Sequence, residues 1–172
     1  MRNSALPNEV ASVKCASTRF GSFEVPSESL ITFPSGVLGF PEQHRYVMLD
    51  HDTEAPIKWL QSVEEPELAF VILDPITFHS DYHVEVSADA LVEIKAQVGE
   101  ELAIAVILTI PSDDPGRITA NLRGPLLISH KTKLGKQLVL SEEFPTRHPL
   151  FPVSGSPSPE LASASPSVEC KV

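Results

Sequence analysis

His79 and His83 stand four positions apart with Asp81 between them and Glu85 beyond, residue types that could together hold a metal ion. On a helix that spacing would set both imidazoles on one face, open to a shared cation. Pro75 upstream and the alternation YHVEV at 82–86 read instead as a loop running into a strand. A strand puts His83 and Glu85 on one face and leaves His79 off it. The His-x-His pair followed by Glu that a cupin-type barrel needs is missing. A metal-dependent barrel built on His79, His83 and Glu85 is thus the enzyme-class alternative, and no metal or other cofactor is expected.

Covalent chemistry fares no better. There is no Gly-x-Ser-x-Gly and no glycine-rich phosphate cradle. Cys15 and Cys170 lie near opposite ends, in weakly patterned surroundings that position no base for them. With no apolar signal segment after Met1, both are read as unpaired thiols of a reducing cytoplasm. The adjacent pairs Glu64/Glu65, Glu100/Glu101 and Glu142/Glu143 make no acid–base dyad, because neighbours on a strand point to opposite faces. The expectation is a protein that catalyses nothing.

The carboxylates can still recognise a partner. WLQSVEEPELAFVILDP at 59–75 sets two apolar, strand-like runs around the acidic hinge Glu64-Glu65-Pro66-Glu67. A proline-stiffened turn between anchored strands would hold those carboxylates out as a docking loop; in the bland alternative they only guard a hairpin against aggregation. Charge along the chain favours docking. Residues 18–116 carry 18 acids against four bases, or −14, whereas 117–151 carry two against six, or +4. Such an acidic surface repels a phosphate backbone and attracts a basic protein. Neither direct nucleic-acid binding nor a membrane span is expected, since no run approaches the roughly 20 apolar residues that a span requires.

The elements that would position these groups are mostly strands. Candidates lie at 22–25, 29–33, 45–50, 57–63, 69–74, 82–86, 102–110, 118–120, 126–130 and 136–140, each bounded by Pro, Gly, Asp or Glu. LAIAVILTI at 102–110 is apolar almost throughout, as a strand buried on both faces would be. One helix interrupts them: Ser87 or Asp89 caps it, Leu91, Ile94 and Val98 share a face, and Gly99 ends it. Trp59, the only tryptophan, is read as core, with an interface role as the alternative. Short strands at about ten-residue spacing with one short helix predict a mainly β fold, a small antiparallel β-barrel-like domain over 13–151. Residues 1–12 are expected to form a flexible extension. Residues 152–172 are expected to form a disordered tail, because their Pro/Ser-rich composition offers too little apolar surface to offset ordering.

Taken in order, several blocks resemble the flagellar assembly factor family FliW: Phe20-Gly21, ITFPSGVLGF at 31–40, LQSVEEPELAF at 60–70, Asp74-Pro75, TANLRGP at 119–125, GKQ at 135–137 and TRHPLF at 146–151. The likeness spans about 13–151, and its specificity lies in the number of blocks in order. It implies a cytoplasmic, non-catalytic β-barrel-like protein that binds newly made flagellin. It further implies that, once flagellin is exported, the freed protein captures the RNA-binding translational repressor CsrA away from its RNA surface, an allosteric relief of repression. On charge, the contact with such a repressor is expected at Glu64, Glu65, Glu67, Asp74 and Asp81, with Glu100 and Glu101 as second choices. An apolar groove for flagellin is expected to use whichever of Phe78, Tyr82 and Phe151 are exposed. A generic flagellin export chaperone that ignores the repressor is the competing reading.

Overall fold

The apolar runs make sense as strands only if both of their faces are covered, and in the computed structural model of the chain both are. The structure describes residues 10–50 and 56–151. The segments 1–9 and 152–172, which hold most of the expected extension and all of the expected tail, lie outside the described residues, as does Cys170.

Along the described residues run β1 (Ser12–Ser17), β2 (Gly21–Pro26), β3 (Leu30–Thr32), β4 (Arg45–Asp50), β5 (Ile57–Ser62), β6 (Ala69–Leu73), a single helix α1 (Ala88–Glu93), β7 (Leu102–Thr109), β8 (Thr119–Ala120), β9 (Leu126–Ser129), β10 (Gly135–Gln137) and β11 (His148–Pro149). All strand pairs are antiparallel. The main path is β10-β9-β7-β6-β5-β4-β3, with β8 and β11 branching from the far half of β7. β7 serves three partners along its length: residues 102–105 pair with β9, residues 106–108 pair with β6, and Leu108 and Thr109 pair with β8. The ends of the path meet where Thr32 donates its N–H to the carbonyl of Lys133 at 2.9 Å and bridges Leu134 in parallel. The fold is therefore barrel-like, mainly β with one short helix, as the sequence predicts.

Alternation along β6 shows how the core is divided. Phe70 and Ile72 face an interior cluster with Phe33, Tyr46, Leu60, Leu126 and Ile128, while Ala69, Val71 and Leu73 face an outer cluster with Ile94, Val106, Leu122 and Leu127. The outer cluster is roofed by α1 and the chain around Tyr82 and Val84. At about 25 cal/mol per Å² of apolar surface removed from water, this double coverage is the main stabilising term of the fold. The hairpin β1–β2 lays Cys15 and Val25 onto Val47 as a third, smaller cluster. Cys15 is buried there and unpaired, with its thiol pushed up by burial against a smaller lowering from Arg45.

Two glycines are fixed by space. Gly36 has φ +69°, and a Cβ on it would lie 2.6 Å from the Phe40 carbonyl. At Gly135 a Cβ would sit 2.6 Å from the fully buried ring of Phe33. Either substitution forces strain that cores relieve poorly.

Two expectations need correction. The stretch 82–86 forms no strand: Tyr82 and Val84 turn inward while His83 and Glu85 face out, but no neighbouring strand pairs with them. The helix is shorter than its periodicity suggests. It stops at Glu93, Lys95 takes the left-handed φ of +54° just beyond, and Val98 is 91 % exposed and off the buried face. Gly99 at φ +84° turns a later loop. Among the described residues no helix is long and apolar enough to cross a membrane.

Candidate functional site: the acidic turn and its anchors

β5 and β6 pair from Ile57 opposite Leu73 to Gln61 opposite Ala69, so residues 62–68 form the turn between them. This turn is built from inside. Gln61 is fully buried, and its Nε2 donates to the carbonyls of Ser62 and Leu68 at 3.0 Å each and more weakly to those of Glu65 and Pro66 at 3.4 Å. Its Oε1 accepts from the hydroxyl of Ser17 at 2.7 Å. The Ser62 hydroxyl accepts from the N–H groups of Glu64 and Glu65, a side-chain turn that fixes the first half of the hinge. From the neighbouring hairpin, Thr18 donates its N–H to the Pro66 carbonyl at 3.0 Å. A network this fully satisfied in a dry setting holds one loop shape.

The carboxylates of the hinge divide by role. Glu64 turns back onto the protein: its Oε2 accepts from the His44 N–H at 2.7 Å and the Arg45 N–H at 3.3 Å, and its Oε1 meets the Arg45 Nε at 3.2 Å. Burial alone would push this carboxyl up. The two backbone N–H groups and the Arg45 guanidinium outweigh that, so its pKa is held below the ordinary 4.5. Glu65 and Glu67 stand exposed on either side of the exposed Pro66, and the Glu65 carboxylate reaches only the N–H of Glu67, at 3.5 Å.

The other expected acids scatter. Asp74 caps the short 3-10 turn Pro75–Thr77 by accepting from the Ile76 N–H at 3.0 Å. Asp81 is exposed on the following loop. Glu100 ties the loop after α1 to β9, accepting from the Gln97 N–H at 3.1 Å and the Ser129 hydroxyl at 2.9 Å, and these bonds lower its pKa. Glu101 is exposed. Only Glu64, Glu65 and Glu67 are held together, and within that group only Glu65 and Glu67 are free to meet a partner.

The expected apolar lining also divides. Tyr82 is buried, its hydroxyl donates to the Leu122 carbonyl at 2.7 Å, and burial pushes its pKa up to about 12; it is core and lines no open groove. Phe78 is half-buried and packs on the ring of His148 at 5.9 Å. Phe151 is 61 % exposed at the end of the described chain. His79 stands 5.3 Å from the ring of His148 and 6.1 Å from that of Tyr82 in an aromatic cluster. Burial, and then the neighbouring His79, lower the pKa of His148. Among the described residues no three His, Cys, Asp or Glu side chains converge as metal ligands.

Sequence reasoning missed the role of the hairpin β1–β2. Phe20 packs edge-on against Trp59 at 5.6 Å, and the Arg19 guanidinium lies 4.6 Å above the same indole. Trp59 is 7 % exposed and belongs to the core, as its apolar neighbours predict. The signal for the hairpin was the two-residue alternation SVKCAS, which is weak in so polar a run.

The family model described as FliW protein matches residues 14–150. A flagellar assembly factor FliW from Natranaerobius thermophilus is 39% identical over 145 residues, covering 84% of this chain and 96% of that protein. One from Geobacter sulfurreducens is 42% identical over 135 residues, covering 78% and 84%. A crystal structure of the flagellar assembly factor FliW superposes with a TM-score of 0.74 at 31% identity, covering 81% of this chain and 98% of that one.

Proposed function

This chain belongs to the FliW family of flagellar assembly factors, and from that membership we propose that it works in the cytoplasm as a non-catalytic switch between two protein partners. Newly made flagellin is the first. When flagellin is exported, the freed protein binds the translational repressor CsrA away from its RNA surface and relieves the block on flagellin translation.

The observation that supports this reading best is the locked acidic turn. Glu65 and Glu67 stand in solvent on a loop fixed by Gln61, Ser62, Ser17 and Thr18, so little ordering entropy opposes contact with a basic partner. The surplus of acids over residues 18–116 adds a field that draws such a partner in. Asp81 and Glu101 are exposed elsewhere, while Glu64, Asp74 and Glu100 act by holding loops in place. For flagellin, exposed Phe151 and half-buried Phe78 are the aromatic residues that remain from the expected groove.

The test mixes purified protein with flagellin and with CsrA, separately and together, and weighs the complexes by light scattering behind a sizing column. Two binary complexes and no ternary one are expected, with flagellin displacing CsrA. A stable ternary complex would end the exclusive switch. Binding of flagellin without CsrA would make the chain an export chaperone instead.

A further inference from the structure

A groove opens between two extended segments that read as strands in the sequence and leave backbone groups unpaired along one edge. Glu85 and Ser87 line one wall, residues 136–140 line the other, and Ser35, Gly36 and Leu38 flank them. On the first wall Val84 is buried while His83 and Glu85 face out, the alternation of a half-buried strand. On the second, Leu138 and Leu140 donate their N–H groups inward to the carbonyls of Pro125 and Arg123 at 2.8 Å each. That two-residue rhythm leaves the N–H and C=O of Val139 on the groove side. Among the described residues, no group pairs with the backbone N–H or C=O of Val139 or of residues 83–86. The side chains of Val139 and Leu38 are 69 % and 59 % exposed.

Unpaired edges of this kind are what a sheet offers to an incoming strand. The groove also has a sign. Lys136 is neutralised by Glu93, whose carboxylate accepts from it and from the Ser35 hydroxyl. Glu85, exposed on the rim, has no cationic partner among the described residues. We propose that this groove takes up an extended segment of another protein as an added β-strand, apolar at alternate positions and carrying a lysine or arginine that meets Glu85. Main-chain bonds to Val139 and to 83–86 would supply the ladder, Leu38 and Val139 the apolar contact, and Glu85 the selection for charge. The site is separate from the acidic turn and does not depend on which partner that turn receives.

The probe is a phage-displayed library of random dodecapeptides selected on the full chain, with enriched sequences resynthesised for calorimetry. Enriched peptides should alternate apolar and polar residues and include a basic one. N-methylation of alternate peptide amides should weaken binding roughly tenfold or more, since it removes ladder donors and leaves side chains intact. Val139→Pro removes an N–H that the fold itself does not use and should weaken binding as much, whereas Val139→Thr should not. Glu85→Lys should turn the preference toward acidic peptides. Failure to enrich any peptide, equal binding of the N-methylated form, or amide shifts that map the peptide away from 83–87 and 136–140 would each overturn the proposal. The N-methylated peptide needs no altered protein, so it decides the matter even where a Val139→Pro chain fails to fold.

Discussion

Glu64 shows how one residue can look like a docking charge and serve as a brace. Its neighbours in sequence, Glu65 and Glu67, have the same charge and lie in the same turn, yet Glu64 alone reaches the backbone of β4. Its side chain is 27% exposed and Arg45 is 49% exposed, so solvent screens the ion pair and the backbone bonds carry most of its worth. Glu64→Gln should cost about 1–2 kcal/mol in urea unfolding at neutral pH, through the loss of charge-assisted bonds. The sign with pH follows from the lowered pKa of the folded state. The contribution is fully present above the ordinary value of 4.5 and is lost as pH falls through the lower folded one. The stability gap between wild type and Glu64→Gln should therefore close in acid. A gap that persists unchanged to pH 2 would show that the carboxylate is not what the variant removes. Glu65→Lys, by contrast, should leave stability within about 0.5 kcal/mol, as exposed substitutions generally do.

At the scale of elements, the turn between β5 and β6 is held by a residue that never touches solvent. Gln61→Leu nearly conserves volume but strips the donor from the Ser62 and Leu68 carbonyls and the acceptor from Ser17. Orphaned groups in a dry site make this cost about 3 kcal/mol. Amide exchange measured across 62–68 should rise far more than in β7; uniform loosening would mean that Gln61 serves the core and not the turn. The same contrast explains what was legible in the sequence. Continuous apolar runs in β6 and β7, and the acidic hinge between β5 and β6, announce themselves because burial on both faces and turn chemistry are local properties. The extent of α1 is not local: Leu91, Ile94 and Val98 keep helical spacing, but only Ala90 and Ile94 find a sheet to lie on, and the chain turns at Lys95. The stretch 82–86 has the alternation of a strand, but a strand needs a neighbour, and no sequence pattern records whether one is within reach. For the candidate site, the hinge could be read directly. Which carboxylate is spent internally depends on Arg45 and His44, some 20 residues away in sequence, and that distance hides it.

Over the whole molecule, charge is sorted along the chain: −14 over 18–116 and +4 over 117–151. β3 to β6 and their turns come from the acidic part, while β8 to β11 come from the basic part. The surplus of acids lies in the first part of the chain, and its field would steer a basic partner approaching from solution before contact. Steering acts on association and is screened over about 8–10 Å at physiological salt. If Glu65 and Glu67 lie at the contact, reversing both to Lys should cut the association rate with CsrA by roughly tenfold or more at low salt and flatten its dependence on ionic strength. The dissociation rate should change less, because rim charges in water contribute little to the bound state. Reversing Glu142 and Glu143, equally acidic and exposed but in the basic part of the chain, is the matched control. Stopped-flow association across a salt series separates the cases. If both double reversals slow binding alike, net charge alone does the steering and the turn is not the docking point. If neither does, the acidic turn is not where the proposed repressor contact forms.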